Sequence, residues 1–249
     1  MRWFILLFIL SISGIVAAQE SFKKDQRRYP RVRTAYSEKE SSIQQLFSTQ
    51  GIAFDQFQMH LRIFKEEEIV ELWVRGNEET TFKKLKTYEV CSSSGELGPK
   101  RQQGDYQVPE GFYYIDRFNP ASSFYLSLGL NYPNRSDRIL GKKGSLGGDI
   151  FIHGDCVTIG CVPLTDEWIK ELYVICVEAR KGGQQKIPVT VFPAKLTTEK
   201  FEALKVQYVD DADKVGLWTD LKTAYDLFGK HQQLPTITFL SSGRHRVEK

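Results

Sequence analysis

The 249-residue chain has little of what several functional classes require. Its 34 basic and 31 acidic side chains nearly cancel, and a net charge of +3 is too small to argue for a nucleic-acid surface. Four cysteines (Cys91, Cys156, Cys161 and Cys176) are too few for a disulfide scaffold at this length. None precedes Cys91, which excludes an N-terminal lipid anchor on a cysteine. There is no C-x-x-C pair to nucleate a zinc site, and no internal repeat. No apolar run reaches the ~20 residues that cross a bilayer comfortably. What remains is an ordinary globular composition, 41% hydrophobic and 26% charged, with room for one sizeable domain and its extensions.

The N-terminus is a different material. Arg2 is the only charge before Trp3–Ile12, an apolar stretch interrupted only by Ser11, and Val16-Ala17-Ala18 offers small residues to a signal peptidase. Residues 1–18 are therefore expected to be a signal peptide cleaved after Ala18, the alternative being a retained anchor. Export brings an oxidising compartment, in which the four cysteines allow three pairings that sequence does not choose among.

Residues 19–37 are polar and basic and read as a spacer, followed by a short amphipathic helix over Glu38–Ser48. The period then changes to two. Met59, Leu61 and Ile63, then Val70, Leu72 and Val74, alternate around Glu66-Glu67-Glu68, which predicts a β-hairpin. Further strands are expected at Leu85–Cys91, Phe112–Asp116, Phe124–Leu128, Ile150–Ile152, Pro188–Phe192 and Thr236–Leu240. Gly95–Gly111 and Gly141–Gly148 are glycine-rich loops, the first long enough to suggest function. Thr165 caps a helix whose apolar stripe, Ile169, Leu172, Tyr173 and Cys176, makes Cys176 a core thiol. Two more helices follow, at Thr198–Val206 and Ala212–Phe228, and then a basic tail expected to be loose.

The chemistry concentrates in Ile150–Asp166, where His153 ends an apolar run and Cys161 follows eight residues later behind Gly160. A thiol has an unperturbed pKa of ~8.5 and needs a base to become a nucleophile. His153 can be that base if the chain loops back beside its strand, with the Gly154 carbonyl fixing the ring's other nitrogen. The N–H groups of Gly160 and Cys161 can then face a developing oxyanion. Two other readings compete: a zinc site on His153, Cys156 and Cys161, which lacks a nearby fourth ligand, and a local Cys156–Cys161 disulfide.

The pair His153-Gly154 followed by Thr158-Ile159-Gly160-Cys161 resembles the active-site motif of the L,D-transpeptidase (YkuD-like) family. Gly98-Pro99-Lys100, Gly104-Asp105, Pro109–Tyr113, Asn131–Asn134 with Asp137, and Phe192-Pro193 are similar to its YafK-like murein branch, over roughly Ile52–Leu196. The resemblance implies Cys161 as nucleophile, His153 as general base and Gly154 as the group orienting it. It implies attack on the bond after the third residue of a peptidoglycan stem and a thioester acyl-enzyme passed to an amine, on a neighbouring stem or an envelope-protein lysine. Hydrolytic use of the same site, as a carboxypeptidase or an amidase releasing a stem-linked protein, and a catalytically silent wall-binding module are the alternatives. The chain departs from the family in a short His153–Thr158 spacer, in Ile159 where many relatives carry a second histidine, and in having no arginine after Cys161. Lys100, Arg101 and Arg138 are candidates for the substrate carboxylate, and Tyr132, Asp155 and Thr158 for pocket walls.

The expectation is an α+β fold: a β-rich L,D-transpeptidase-like catalytic domain at 52–196, with a helix after the nucleophile, preceded by a spacer and short helix at 19–51. A helical C-terminal extension and basic tail occupy 197–249. No cofactor, metal, nucleic acid or membrane span is expected in the mature protein, which is placed in the periplasm or extracytoplasmic envelope.

Overall fold

A computed structural model describes residues 20–249; the expected signal peptide lies outside them. The period-two stretches form a hairpin of β1 (Phe57–Phe64) and β2 (Ile69–Gly76), registered with Leu61 opposite Leu72 and Ile63 opposite Val70. Met59, Leu61, Ile63, Val70, Leu72 and Val74 enter the main core. The alternate residues His60, Arg62 and Phe64 are buried too, because this sheet is covered on both faces.

β3 (Lys83–Glu89), β4 (Gly111–Asn119), β5 (Ser127–Leu130), β6 (Phe151–His153), β7 (Val162–Pro163) and β8 (Ile187–Phe192) complete an eight-stranded sheet in the order β3-β2-β1-β8-β4-β5-β6-β7. Two neighbouring pairs, β1·β8 and β6·β7, are parallel. The sheet curls until Cys91, just past β3, donates its N–H to the carbonyl of Pro163 in β7, at the opposite edge (3.1 Å).

On one face lie α1 (Pro30–Thr49) and, after the short α2 (Arg135–Leu140), α3 (Asp166–Lys181). Thr165 caps α3 by accepting from the Trp168 N–H, and Cys176 is fully buried in its core stripe. On the other face α4 (Thr198–Gln207) and α5 (Ala212–His231) bring Phe201, Leu204, Leu217, Trp218 and Leu221 against Phe64, Phe112 and Phe192. A hairpin of β9 (Thr236–Phe239) and β10 (His245–Glu248) closes the chain.

Three expectations need correction. Residues 19–37 are not a spacer: residues 20–26 are helical, and α1 starts at Pro30. Pro30 suits the first turn, and Val32, Ala35 and Tyr36 are buried at helical spacing amid the basic residues that disguise them. The strand expected over Phe124–Leu128 begins only at Ser127, because Arg31 of α1 ties the carbonyls of Ser122 and Tyr125 into a loop (2.5 and 2.8 Å). The tail is not loose, since β10 pairs with β9 and buries His245 between the rings of Phe112 and Phe239.

Candidate active site

The parallel pairing of β6 with β7 brings His153 and Cys161 to one cleft. Ile152 pairs with Val162 and His153 with Pro163. Cys161, directly before Val162, therefore lies beside Phe151 on the face of the sheet that also carries His153, because side chains two apart share a face. Both residues line one cleft of about 490 Å³ with Phe124, Thr158 and Ile159. Cys161 also lines a second cleft of about 230 Å³ on its other side, with Lys65, Glu68, Ser93, Leu97 and Val108.

His153 is buried and held from two directions. Its Nδ1–H donates to the Gly154 carbonyl (2.5 Å), which leaves Nε2 as the basic nitrogen. The ring of Phe124 packs against it with centroids 4.7 Å apart. Gly154 admits no side chain: a Cβ would meet Asp166 Oδ1 at 2.6 Å and the Phe124 carbonyl at 3.0 Å. Asp166, in the first turn of α3, also accepts the Asp155 N–H (3.0 Å), so the helix after Cys161 fixes the loop after His153.

Cys161 is a free, half-buried thiol. At rest it points its hydrogen at the Asp149 carbonyl (3.6 Å) rather than at the imidazole. Burial pushes its pKa up, against a bond from the backbone of Phe151 and the Lys100 charge that favour the thiolate. Burial also pulls the pKa of His153 down, opposed by the Gly154 bond and by Asp155. The resting pair is thus a neutral thiol beside a neutral imidazole.

Cys156 is bonded to Cys91, which removes both the local Cys156–Cys161 bridge and the three-ligand metal reading. The bond anchors the loop between His153 and Cys161 to the opposite edge of the sheet.

The other expected residues are placed as follows. Thr158 lies in the cleft, where its hydroxyl accepts the N–H groups of Gly160 (3.2 Å) and Cys161 (2.8 Å) and donates to the Cys161 carbonyl (2.9 Å). Gly160 takes φ +131°, and a Cβ there would press on the Gln107 carbonyl at 3.1 Å, so the long loop packs directly on the residue before Cys161. Asp155, at φ +62°, faces a separate depression with Arg31 and Tyr125. Tyr132 is buried with its hydroxyl donating to the Leu146 carbonyl (3.1 Å), and Lys100 is buried with its ammonium on Asp105 (2.5 Å). Arg101 is engaged by Asp213 and Asp137, while Arg138 donates to the Pro133 carbonyl. The structure thus gathers His153, Gly154, Thr158, Gly160 and Cys161 in one place, with Tyr132, Asp155, Lys100, Arg101 and Arg138 outside the two clefts. Sequence reasoning missed Phe124, whose aromatic type gave no hint that it would stack on His153.

Among known proteins, the sequence profile of the L,D-transpeptidase catalytic domain YkuD matches residues 59–191. YafK of Escherichia coli (strain K12), which bears the name of an L,D-transpeptidase, is 35% identical over 193 residues, covering 77% of this chain and 74% of its own. YafK of Escherichia coli O157:H7 matches to the same extent. Among solved structures, the helical cell shape determining protein Pgp2 of Campylobacter jejuni has 18% identity and a TM-score of 0.44, covering 75% of this chain and 74% of that one. The profile spans β1 to β8 and includes both His153 and Cys161. The chain belongs to the YkuD L,D-transpeptidase catalytic domain family.

Proposed function

We propose that the protein is an exported L,D-transpeptidase acting on peptidoglycan through a covalent Cys161 acyl-enzyme. The observation that carries this reading is the β6·β7 pairing, which sets Cys161 and an Nδ1-anchored His153 on one face of one cleft. Family membership supports the substrate class. The apolar N-terminus supports export, and among the described residues no helix is long and apolar enough to cross a membrane.

In the proposed reaction His153 Nε2 takes the thiol proton as sulfur attacks the carbonyl of the third stem residue. The tetrahedral oxyanion draws on the N–H groups of Gly160 and Cys161, displacing the Thr158 hydroxyl they serve at rest. Collapse breaks the L–D peptide bond, and the imidazolium returns its proton to the departing D-residue amine. An incoming amine then loses a proton to His153 and attacks the thioester, and the thiol is restored. The two clefts meeting at Cys161 support entry of donor and acceptor from opposite sides.

Intact-protein mass spectrometry after incubation with a carbapenem tests the nucleophile. The expected result is one adduct on Cys161, absent from Cys161→Ala. A catalytically silent module would give no adduct. Incubation with purified muropeptides tests the acceptor: a cross-linked dimer supports transfer, whereas a shortened stem without dimer replaces it with hydrolysis.

A further inference from the structure

In the proposed reaction His153 carries a positive charge for part of the cycle, and its polar surroundings supply little to hold one. Burial opposes the charged ring. In a catalytic triad a carboxylate on Nδ1 stabilises the imidazolium, whereas here Nδ1–H meets the neutral Gly154 carbonyl. The charged groups nearby are Asp155 on the following loop, Asp166 at the start of α3, and Asp149, which lines the cleft and faces Arg117 (3.7 Å). Arg31 lies with Asp155 and Asp166 in the separate depression, and the Lys100 charge acts on Cys161. Among the described residues no carboxylate hydrogen-bonds to the His153 ring.

Phe124 meets that need. Its ring centroid lies 4.7 Å from that of His153, with the two planes inclined by 33°. Rings side by side in one plane cannot bring their centroids so close, so the two faces overlap. The other buried histidines are placed differently. His60 meets Phe82 and Phe228, and His245 meets Phe112 and Phe239, all edge-on with planes at 68–74°. The negative face of an aromatic ring attracts a cation within about 6 Å of its centroid, and a neutral imidazole much less.

The backbone on either side of Phe124 is tied down. Arg31 of α1 donates to the carbonyls of Ser122 and Tyr125 (2.5 and 2.8 Å), and the Phe124 N–H donates to Ser122 Oγ (3.0 Å). The Gly154 N–H donates to the Leu126 carbonyl (3.1 Å), which joins this loop to the residue after His153. The Phe124 side chain itself is 42% exposed, so the core does not depend on it.

We propose that Phe124 is a positioning residue whose ring fixes the plane of the His153 imidazole and stabilises the imidazolium formed when Nε2 takes the Cys161 proton. No atom of Phe124 reacts: the proton passes from Sγ to Nε2 and later to the departing amine. The use of this device rests on the proposed acyl transfer, whereas the preference for the charged ring is a property of the free protein.

The test is an NMR titration of the imidazole in the whole purified protein, with His153→Gln assigning the signal among the four histidines. Phe124→Leu keeps an apolar cover and removes the aromatic face, so the His153 midpoint should fall by about 0.5–1 on the pH scale. Phe124→Tyr keeps the face and should restore the midpoint. With a muropeptide substrate, kcat should drop about three- to tenfold in Phe124→Leu and recover in Phe124→Tyr. A midpoint unmoved or raised in Phe124→Leu overturns the proposal, and so does a Phe124→Tyr variant as impaired as Phe124→Leu. Wild-type protein without turnover would strike the acyl transfer alone, and the titration would still decide the role of Phe124.

Discussion

Trp218 of α5 donates its indole N–H to Glu110 Oε2 at 2.6 Å, joining the C-terminal extension to the loop that walls one of the clefts at Cys161. The other Glu110 oxygen accepts the Gly98 N–H (2.7 Å) and meets Lys65 Nζ (2.9 Å), and Lys65 in turn donates to the carbonyls of Glu96, Gly98 and Val108. Asp213, five residues earlier on the same helix, holds Arg101. The extension therefore sets the shape of the 95–110 segment, which touches Gly160 through the Gln107 carbonyl. Trp218→Phe should leave a buried carboxylate oxygen without its donor and cost about 1–3 kcal/mol. Hydrogen exchange should rise across residues 95–110, with KM for a muropeptide rising more than kcat falls. A loop as protected as before in the variant would deny the coupling.

The Cys91–Cys156 bond closes a loop with a sequence separation of 65 residues. In the chain-entropy account such a crosslink stabilises by about 4 kcal/mol at most, and about 2–4 kcal/mol is typical. The Cys91→Ser/Cys156→Ser double variant should lose that much in denaturant unfolding. It should also lose activity beyond the stability loss, because Asp155–Gly160 then loses its covalent tie to the opposite edge and keeps only non-covalent ones, such as the Asp166 and Thr158 bonds. Unchanged turnover in the folded double variant would reduce the bond to a staple.

The neutral resting pair makes a pH prediction. Burial holds the His153 pKa below its ordinary 6.5, so Nε2 remains a base into mildly acid solution, and the acid limb of kcat/KM should have its midpoint below 6.5. Burial raises the Cys161 thiol above the ordinary thiol range, so its alkylation by iodoacetamide without substrate should accelerate only through alkaline pH. A fast alkylation plateau already present at neutral pH would mean a preformed ion pair and contradict this electrostatic picture.

His60 ties stability to pH. Its pKa is lowered by burial, and then by Arg62, to about 3 against 6.5 for a free imidazole. A depressed folded value means that the unfolded chain takes up the proton first, so this contribution to stability is lost as pH falls from 6.5 toward 3. Between about pH 6 and about pH 4 that share amounts to roughly 2 kcal/mol. His60→Gln should flatten the pH dependence of urea unfolding by that amount, and an identical slope in the variant would place the acid sensitivity elsewhere.

Parts of the molecule could be read directly from the chain because they depend on local periodicity. The alternation of Met59–Ile63 with Val70–Val74 set the hairpin. The Thr165 cap and the Ile169–Cys176 stripe set α3. Other parts were hidden for physical reasons. Arg31 and Arg33 made the start of α1 look like a solvated charge run, although Val32, Ala35 and Tyr36 carried the helical spacing. Tyr132 and Lys100 had the residue types of a binding wall, but their polar atoms are consumed by the Leu146 carbonyl and Asp105.

By itself the sequence determined the elements whose apolar period is regular, the β1–β2 hairpin and α3 among them, and singled out His153 and Cys161 as the candidate pair by residue type and spacing. Only the tertiary structure decided what those elements meet. Cys91 reaches Cys156 because the sheet curls its two edges together. Arg62 is buried among five rings because helices from the far end of the chain cover the sheet's second face. Pairings across such separations depend on how the strands are ordered in the sheet, and no short-range pattern of side chains encodes that order.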